Sequence, residues 1–206
     1  EAPDRRKAAR DGFVAASGWS DGAIAPLAGD ASRRRYFRLT QGDKRAILMD
    51  APPDQGEDVR PFAALTGHLR DRGFSAPEIL SGDLADGFLL LEDLGDDLFA
   101  RRLAAAPTDE AQLFQNGVDL LLSLHRDKAP AAALGFGARH EIAPYDWSVL
   151  RQEAGLFVEW YLPAATGRAV RDEEVASFDA ALRAICEATG ADRFRDEDAR
   201  LTLRDF

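Results

Sequence analysis

The sequence predicts an α+β fold, with a small antiparallel β lobe followed by a larger helical lobe. Two observations carry this. Up to Leu91, short apolar runs separated by turn residues follow the order strand, strand, strand, helix, strand, strand. After Gly95 the apolar residues recur at helical spacing instead. The chain has 206 residues, enough for one large domain or two small lobes. The change of period near Asp93 divides it into residues 1–93 and 94–206.

Each element follows from local pattern. Ala8, Ala9, Phe13 and Ala16 share a helical face, and Gly18 is a stop signal. Residues 23–28, 36–40 and 45–50 are extended candidates, joined by turns at Gly29-Asp30 and Gln41-Gly42-Asp43, and they predict a meander. A loop at 51–56 precedes a helix marked by Phe62, Leu65 and Leu69 and ended by Arg72-Gly73. Ile79-Leu80 and Phe88 to Leu91 flank the turn Asp86-Gly87. Thr108, followed by Asp109 and Glu110, predicts a helix start, because a hydroxyl cap and early acids satisfy free backbone N–H groups. Leu113, Leu120, Leu121 and Leu124 form its face, Ala129-Pro130 ends it, and Gly135 and Gly137 mark a loop. Leu150, Ala154, Phe157 and Tyr161 form the next helical stripe, which Pro163 breaks. The last helix runs from about Glu173 to Ala188 on a face of Val175, Phe178, Leu182 and Ile185.

Composition narrows the function classes. Apolar residues make up 46% and charged residues 30%, the profile of a soluble globular protein. A net charge of −10 argues against a general nucleic-acid binder, which needs a basic footprint. It suits a cationic substrate, and equally it suits plain solubility. The single cysteine, Cys186, excludes an intrachain disulfide and reads as a small core residue. No apolar run reaches the roughly 20 residues needed to span a bilayer, and the first ten residues lack the apolar stretch of a secretory leader. The expectation is a cytoplasmic protein with no membrane or nucleic-acid partner. Oligomeric state is not legible.

Three segments carry chemistry. Gly29-Asp30-Ala31-Ser32-Arg33-Arg34-Arg35-Tyr36-Phe37-Arg38-Leu39 is a strand-connecting turn whose amides and arginines can face phosphates, and taken alone it also reads as a solvated hairpin tip. Leu89-Leu90-Leu91-Glu92-Asp93-Leu94-Gly95 is a buried strand running into an acidic turn where strands give way to helices, a junction that favours pockets. Leu201-Thr202-Leu203-Arg204-Asp205-Phe206 delivers a carboxylate just past a short extended run, as a general base requires, although an Arg-Asp pair can also be a surface ion pair.

In this order the segments resemble the aminoglycoside phosphotransferase and choline kinase family, small-molecule kinases with a protein-kinase-like fold. The wording GDASRRRYFRL, ILMDAPP, LLLEDLG and LTLRDF is most similar to that of bacterial anomeric kinases of N-acetylmuramate and N-acetylglucosamine. The resemblance implies ATP as phosphoryl donor. It implies that Asp30, Ala31, Ser32, Arg33 and Arg34 form the loop over the phosphates, that the Glu92 carbonyl and the Leu94 amide meet adenine, and that Asp205 is the catalytic base. It further implies a His-x-x-Asn continuation beyond Phe206 and a later Asp for Mg2+, so the expectation is a chain cut short after the catalytic Asp. No metal ligand is assigned within it.

The sequence departs from the family at one ion pair. Met49 stands where the resemblance expects the strand-three lysine of the nucleotide site, and the helix at 62–72 contains no Glu partner. Either Arg34, Arg35 or Arg45 supplies the charge, with Arg34 the preferred choice, or the protein binds nucleotide without catalysis. Leu203 stands where many relatives carry His. For the acceptor, Glu153, Phe157 and Trp160 fall at i, i+4 and i+7, which offers a carboxylate and stacking rings on one helical face. The same rings also read as core. Tyr145, Asp146 and Trp147 lie just before them. His68, His125 and His140 lack metal-ligand spacing and read as structural or solvated. No Ser-His-Asp grouping, zinc pattern or G-x-G-x-x-G is present.

Overall fold

Five strands form one antiparallel sheet in the order β1-β2-β3-β5-β4. They are β1 (Ala23–Pro26), β2 (Arg35–Gln41), β3 (Lys44–Asp50), β4 (Ile79–Asp83) and β5 (Phe88–Glu92). The computed structural model describes residues 2–28, 32–189 and 199–203. Two compact units are present, Glu1–Asp109 with Ala132–Glu141, and Glu110–Ala131 with Ile142–Phe206.

Strand alternation divides the first unit's core between the two sheet faces. On one face Leu39, Ala46, Leu48, Phe88 and Leu90 pack with Val14 of α1 (Ala2–Ala16). On the other, Met49, Ala51, Val59, Leu89 and Leu91 pack with Phe62 of α2 (Arg60–Asp71). Phe88 to Leu91 is buried on both faces, which explains its unbroken apolar run. Each such side chain contributes on the order of 1.5–3 kcal/mol. The α1 helix is held to the sheet by Arg6, whose guanidinium lies 3.8 Å from the Phe88 ring centroid and 2.6 Å from the buried Asp50 carboxylate. Arg35 meets the same carboxylate at 3.1 Å.

The region around Gly135 and Gly137 is a β-hairpin rather than a loop, with β6 (Ala132–Gly135) paired to β7 (Ala138–Glu141). Its two-residue turn puts Phe136 at φ 47° and Gly137 at φ 71°. Left-handed backbone costs a bulky residue on the order of 1–3 kcal/mol. The Phe136 ring offsets this by packing over Gly82, where a Cβ would come within 2.6 Å of it. The hairpin lies on α2, and the close approach of Gly67 and Gly135 leaves no room for a side chain at either.

Helices make up most of the second unit: α4 (Glu110–Leu124), α5 (Trp147–Leu156), α6 (Leu162–Thr166) and α7 (Asp172–Thr189), while α3 (Phe99–Ala105) belongs to the first. Three expectations are corrected. Thr108 lies in a 3-10 turn, Pro107–Asp109, so α4 starts at Glu110 instead. Pro163 does not break the helical run. A π-helical turn, Phe157–Tyr161, joins α5 to α6, and Pro163 follows that turn at the start of α6 without interrupting the helical backbone. In α7 the inward position falls to Cys186, which is buried, and Ile185 is 60% exposed.

Candidate active site

The turn between β1 and β2 ends in a tethered arginine. Asp30 and Ala31 lie outside the described residues. Ser32 Oγ accepts from the Arg34 N–H at 3.3 Å. Glu57, in the segment leading to α2, holds both following residues. Its Oε1 accepts from the Arg33 N–H at 3.1 Å, and its Oε2 accepts from Arg34 Nε at 2.8 Å. Burial is the largest single influence on the Arg34 charge and opposes it, but Glu57 and Tyr36 together more than offset it and raise the guanidinium above its ordinary value. The same bond holds the Glu57 carboxyl below the usual carboxylate range. Arg34 is thus an immobilised cation at the end of the turn.

Met49 brings no charge to this region. It is fully buried among Ala51, Val59, Leu89 and Leu91. In register it lies between Tyr36 of β2 and Leu89 of β5.

The hinge candidates Glu92 and Leu94 follow β5. The Glu92 N–H donates to Glu78 O at 2.8 Å, and its side chain accepts from the Glu78 N–H at 3.0 Å, which ties the strand end to the approach to β4. Leu94 is exposed within a turn closed by Asp93, whose Oδ1 accepts from the Gly95 N–H at 2.9 Å.

In the second unit, Asp205 lies outside the described residues, but the approach to it at 199–203 is anchored. Ala129 N–H donates to Ala199 O at 2.9 Å, Arg200 Nε donates to His125 O at 2.9 Å, and His125 Nε2 bonds Leu201 O at 3.1 Å. Leu201 is buried. His125, read as structural or solvated, has a structural role here, and its link to Arg200 was not legible because no local spacing joins residues 75 apart.

The acceptor candidates stand on α5 and the turn after it. Asp146 caps α5, accepting from Ser148 N at 2.9 Å and Val149 N at 3.3 Å, and the Ser148 hydroxyl, with these backbone bonds, holds its carboxyl below the usual range. The Tyr145 hydroxyl donates to Glu153 Oε2. The Trp147 ring lies under Arg183, 4.1 Å from centroid to guanidinium. The π turn breaks the simple i, i+4, i+7 phase. Phe157 stacks on Tyr161 and Phe178, Val158 turns inward, and Trp160 is left 73% exposed. Among the described residues no group of three or more His, Cys, Asp or Glu is arranged to hold a metal ion, and no helix is long and apolar enough to cross a membrane.

The sequence pattern of the phosphotransferase enzyme family matches residues 23–206. The chain belongs to this family. Its antiparallel sheet and helical second unit have the protein-kinase-like α+β arrangement expected of such phosphotransferases. The chain is 36% identical over 212 aligned residues to the N-acetylmuramate/N-acetylglucosamine kinase of Caulobacter vibrioides, covering 90% of this chain and 56% of that protein. To the protein of the same name from Pseudomonas aeruginosa it is 38% identical over 178 residues, 85% of this chain and 48% of that protein. A Pseudomonas putida protein of that name is 35% identical over 157 residues, 76% of this chain and 43% of its own length. The chain spans about half the length of the curated relatives it matches. Within this family member, β3 carries Met49 and α2 carries no glutamate, while Glu57, in the segment leading to α2, pairs with Arg34.

Proposed function

We propose that the protein is an ATP-dependent phosphotransferase that phosphorylates a hydroxyl of a small polar molecule, an amino sugar such as N-acetylmuramate or N-acetylglucosamine. The observation that carries this is 36% and 38% identity, over 90% and 85% of the chain, to two proteins named as kinases of those sugars. In this reading residues 1–93 serve the nucleotide and residues 94–206 serve the acceptor and the chemistry, in a cytoplasmic enzyme.

The roles follow from chemistry. Asp30 to Arg34 serve the phosphates, with the tethered Arg34 as the cation that Met49 cannot be. An arginine already held by Glu57 loses little freedom on meeting a phosphate, so its electrostatic contribution is not offset by ordering. The Glu92 carbonyl and Leu94 amide take the adenine edge. Asp205 orients the acceptor hydroxyl and takes its proton as that oxygen attacks the γ-phosphorus and ADP departs. Glu153 and Trp160 serve the sugar, the first as acceptor for hydroxyls and the second as a stacking face. Mg2+, when bound, neutralises phosphate charge in this chemistry, but the described residues offer no ligand set for it, and no step is assigned through it.

The test is a phosphate-transfer screen of the full-length protein against N-acetylmuramate, N-acetylglucosamine, aminoglycosides and choline. Transfer to an amino sugar is expected, and a preference for an aminoglycoside or choline would replace that substrate class. Asp205→Asn should lower turnover on the order of 100- to 10,000-fold with ATP affinity little changed. A second reading, nucleotide binding without catalysis, is favoured by Met49 and the glutamate-free α2. ATP binding without transfer to any acceptor would select it.

A further inference from the structure

Arg38 lies within β2 in register with Ile47 of β3, which in turn faces Leu91 of β5. Directly opposed residues share a sheet face, so a long cation lies across an otherwise apolar row. Its guanidinium ends at the turn that follows β5. Arg38 Nε comes within 2.8 Å of Asp93 Oδ2, and Nη2 donates to Asp93 Oδ1 at 3.1 Å. Nη2 also donates to Asp96 Oδ1 at 3.0 Å, and Nη1 donates to Asp96 Oδ2 at 2.8 Å. One planar fork therefore holds two carboxylates three residues apart. Asp93, 5% exposed, also closes the turn through the Gly95 N–H.

We infer that Arg38 is a positioning residue that sets the conformation of the turn at residues 92–96, and through it nucleotide affinity and the choice of base. The inference rests on the proposed role of Glu92 and Leu94 toward adenine. A solvated ion pair would carry little. This one differs because it is bidentate to Asp96, with a further bond and a close ionic contact to Asp93, and because the Asp93 carboxylate is buried, so loss of the guanidinium leaves that charge uncompensated. The turn then reorganises to hydrate Asp93, and the backbone groups on either side move with it. Edge recognition by a carbonyl and an amide tolerates little displacement. Lysine keeps the charge but not the fork.

The experiment compares full-length wild type with Arg38→Ala, Arg38→Lys and Asp96→Asn. Each is titrated with ATP and with GTP, assayed for kcat and KM, and melted. Arg38→Ala should raise KM for ATP about 10-fold or more, with kcat within about 2-fold and a clear loss of preference for ATP over GTP. Arg38→Lys should recover part of both. Asp96→Asn, at a side chain 52% exposed, should leave Tm unchanged and weaken ATP about 2- to 3-fold. If Arg38→Ala does not fold, the Arg38→Lys and Asp96→Asn pair decides. Unchanged ATP affinity and base preference in the folded variants overturns the inference, as does an equal loss for ATP and GTP that tracks a fall in Tm. If wild type binds neither nucleotide, the hinge reading itself fails and this inference fails with it. Intact wild-type binding with silent variants refutes the positioning role alone.

Discussion

Met49 and Arg34 are the two residues on which the proposed source of the phosphate-neutralising charge turns. Met49 is a flexible thioether that fills space between β2, β3 and β5. Met49→Ala should cost about 2–5 kcal/mol of stability through the cavity it leaves, read by urea unfolding, with ATP affinity of the folded fraction little changed. Arg34→Ala should do the reverse, weakening ATP binding with a small change in stability. If both variants act only on stability, the phosphate charge comes from elsewhere. Glu57 gives a pH signature. Its carboxyl is held below its ordinary value of 4.5 by Arg34. Such a group adds stability that is fully present above the ordinary value and is lost as pH falls through the lower folded-state value. Denaturant titrations from about pH 6 to about pH 3 should therefore show a wild-type decline that is shallower in Glu57→Gln. Identical slopes would mean that Glu57 is not coupled to folding.

At the scale of elements, the β6–β7 hairpin is held by fit rather than by apolar area. A Cβ on Gly135 would meet Ala63 O at 2.6 Å and Gly67 Cα at 2.6 Å, both backbone atoms of α2 that cannot yield. Gly135→Ala should destabilise the first unit by roughly 1–3 kcal/mol, as overpacking of a fixed contact does. Chemical denaturation checks this, and a neutral result would show that the hairpin and α2 separate freely. The hairpin strands read Ala-Ala-Leu-Gly and Ala-Arg-His-Glu, with almost no alternation to betray them. The π turn was equally hidden, because the 3.6-residue stripe of Leu150, Ala154, Phe157 and Tyr161 predicts a straight helix. One inserted residue changes which side chain turns inward, here Val158. The strands of the five-stranded sheet, by contrast, declare themselves by short extended runs bounded by turn residues.

For the whole molecule, two compact units imply that ligand effects should be unequal. ATP at about 100 times its Kd should stabilise the unit that binds it by about 2.7 kcal/mol. Hydrogen-exchange protection should then concentrate at residues 32–38 and 92–96. Protection confined to residues 142–189 would reject the nucleotide assignment to the first unit.

The order of strands and helices, the antiparallel sheet and the buried β5 were legible from sequence. The individual elements depend on neighbours one to four residues apart, and the hydrophobic period records those directly, while the short turns between successive strands point to antiparallel pairing. The candidate site was proposed from contiguous motifs, at 29–39, 89–95 and 201–206. Its supports were not legible. Arg38 on Asp93 and Asp96, Glu57 on Arg34, and Arg200 and Leu201 on His125 join residues 23 to 76 positions apart. Which of the 26 Lys and Arg residues meets which of the 36 Asp and Glu residues has no periodic signature. Ion pairing acts through distance in space, and only the folded backbone, by setting sheet register and turn direction, turns a list of charges into particular partners.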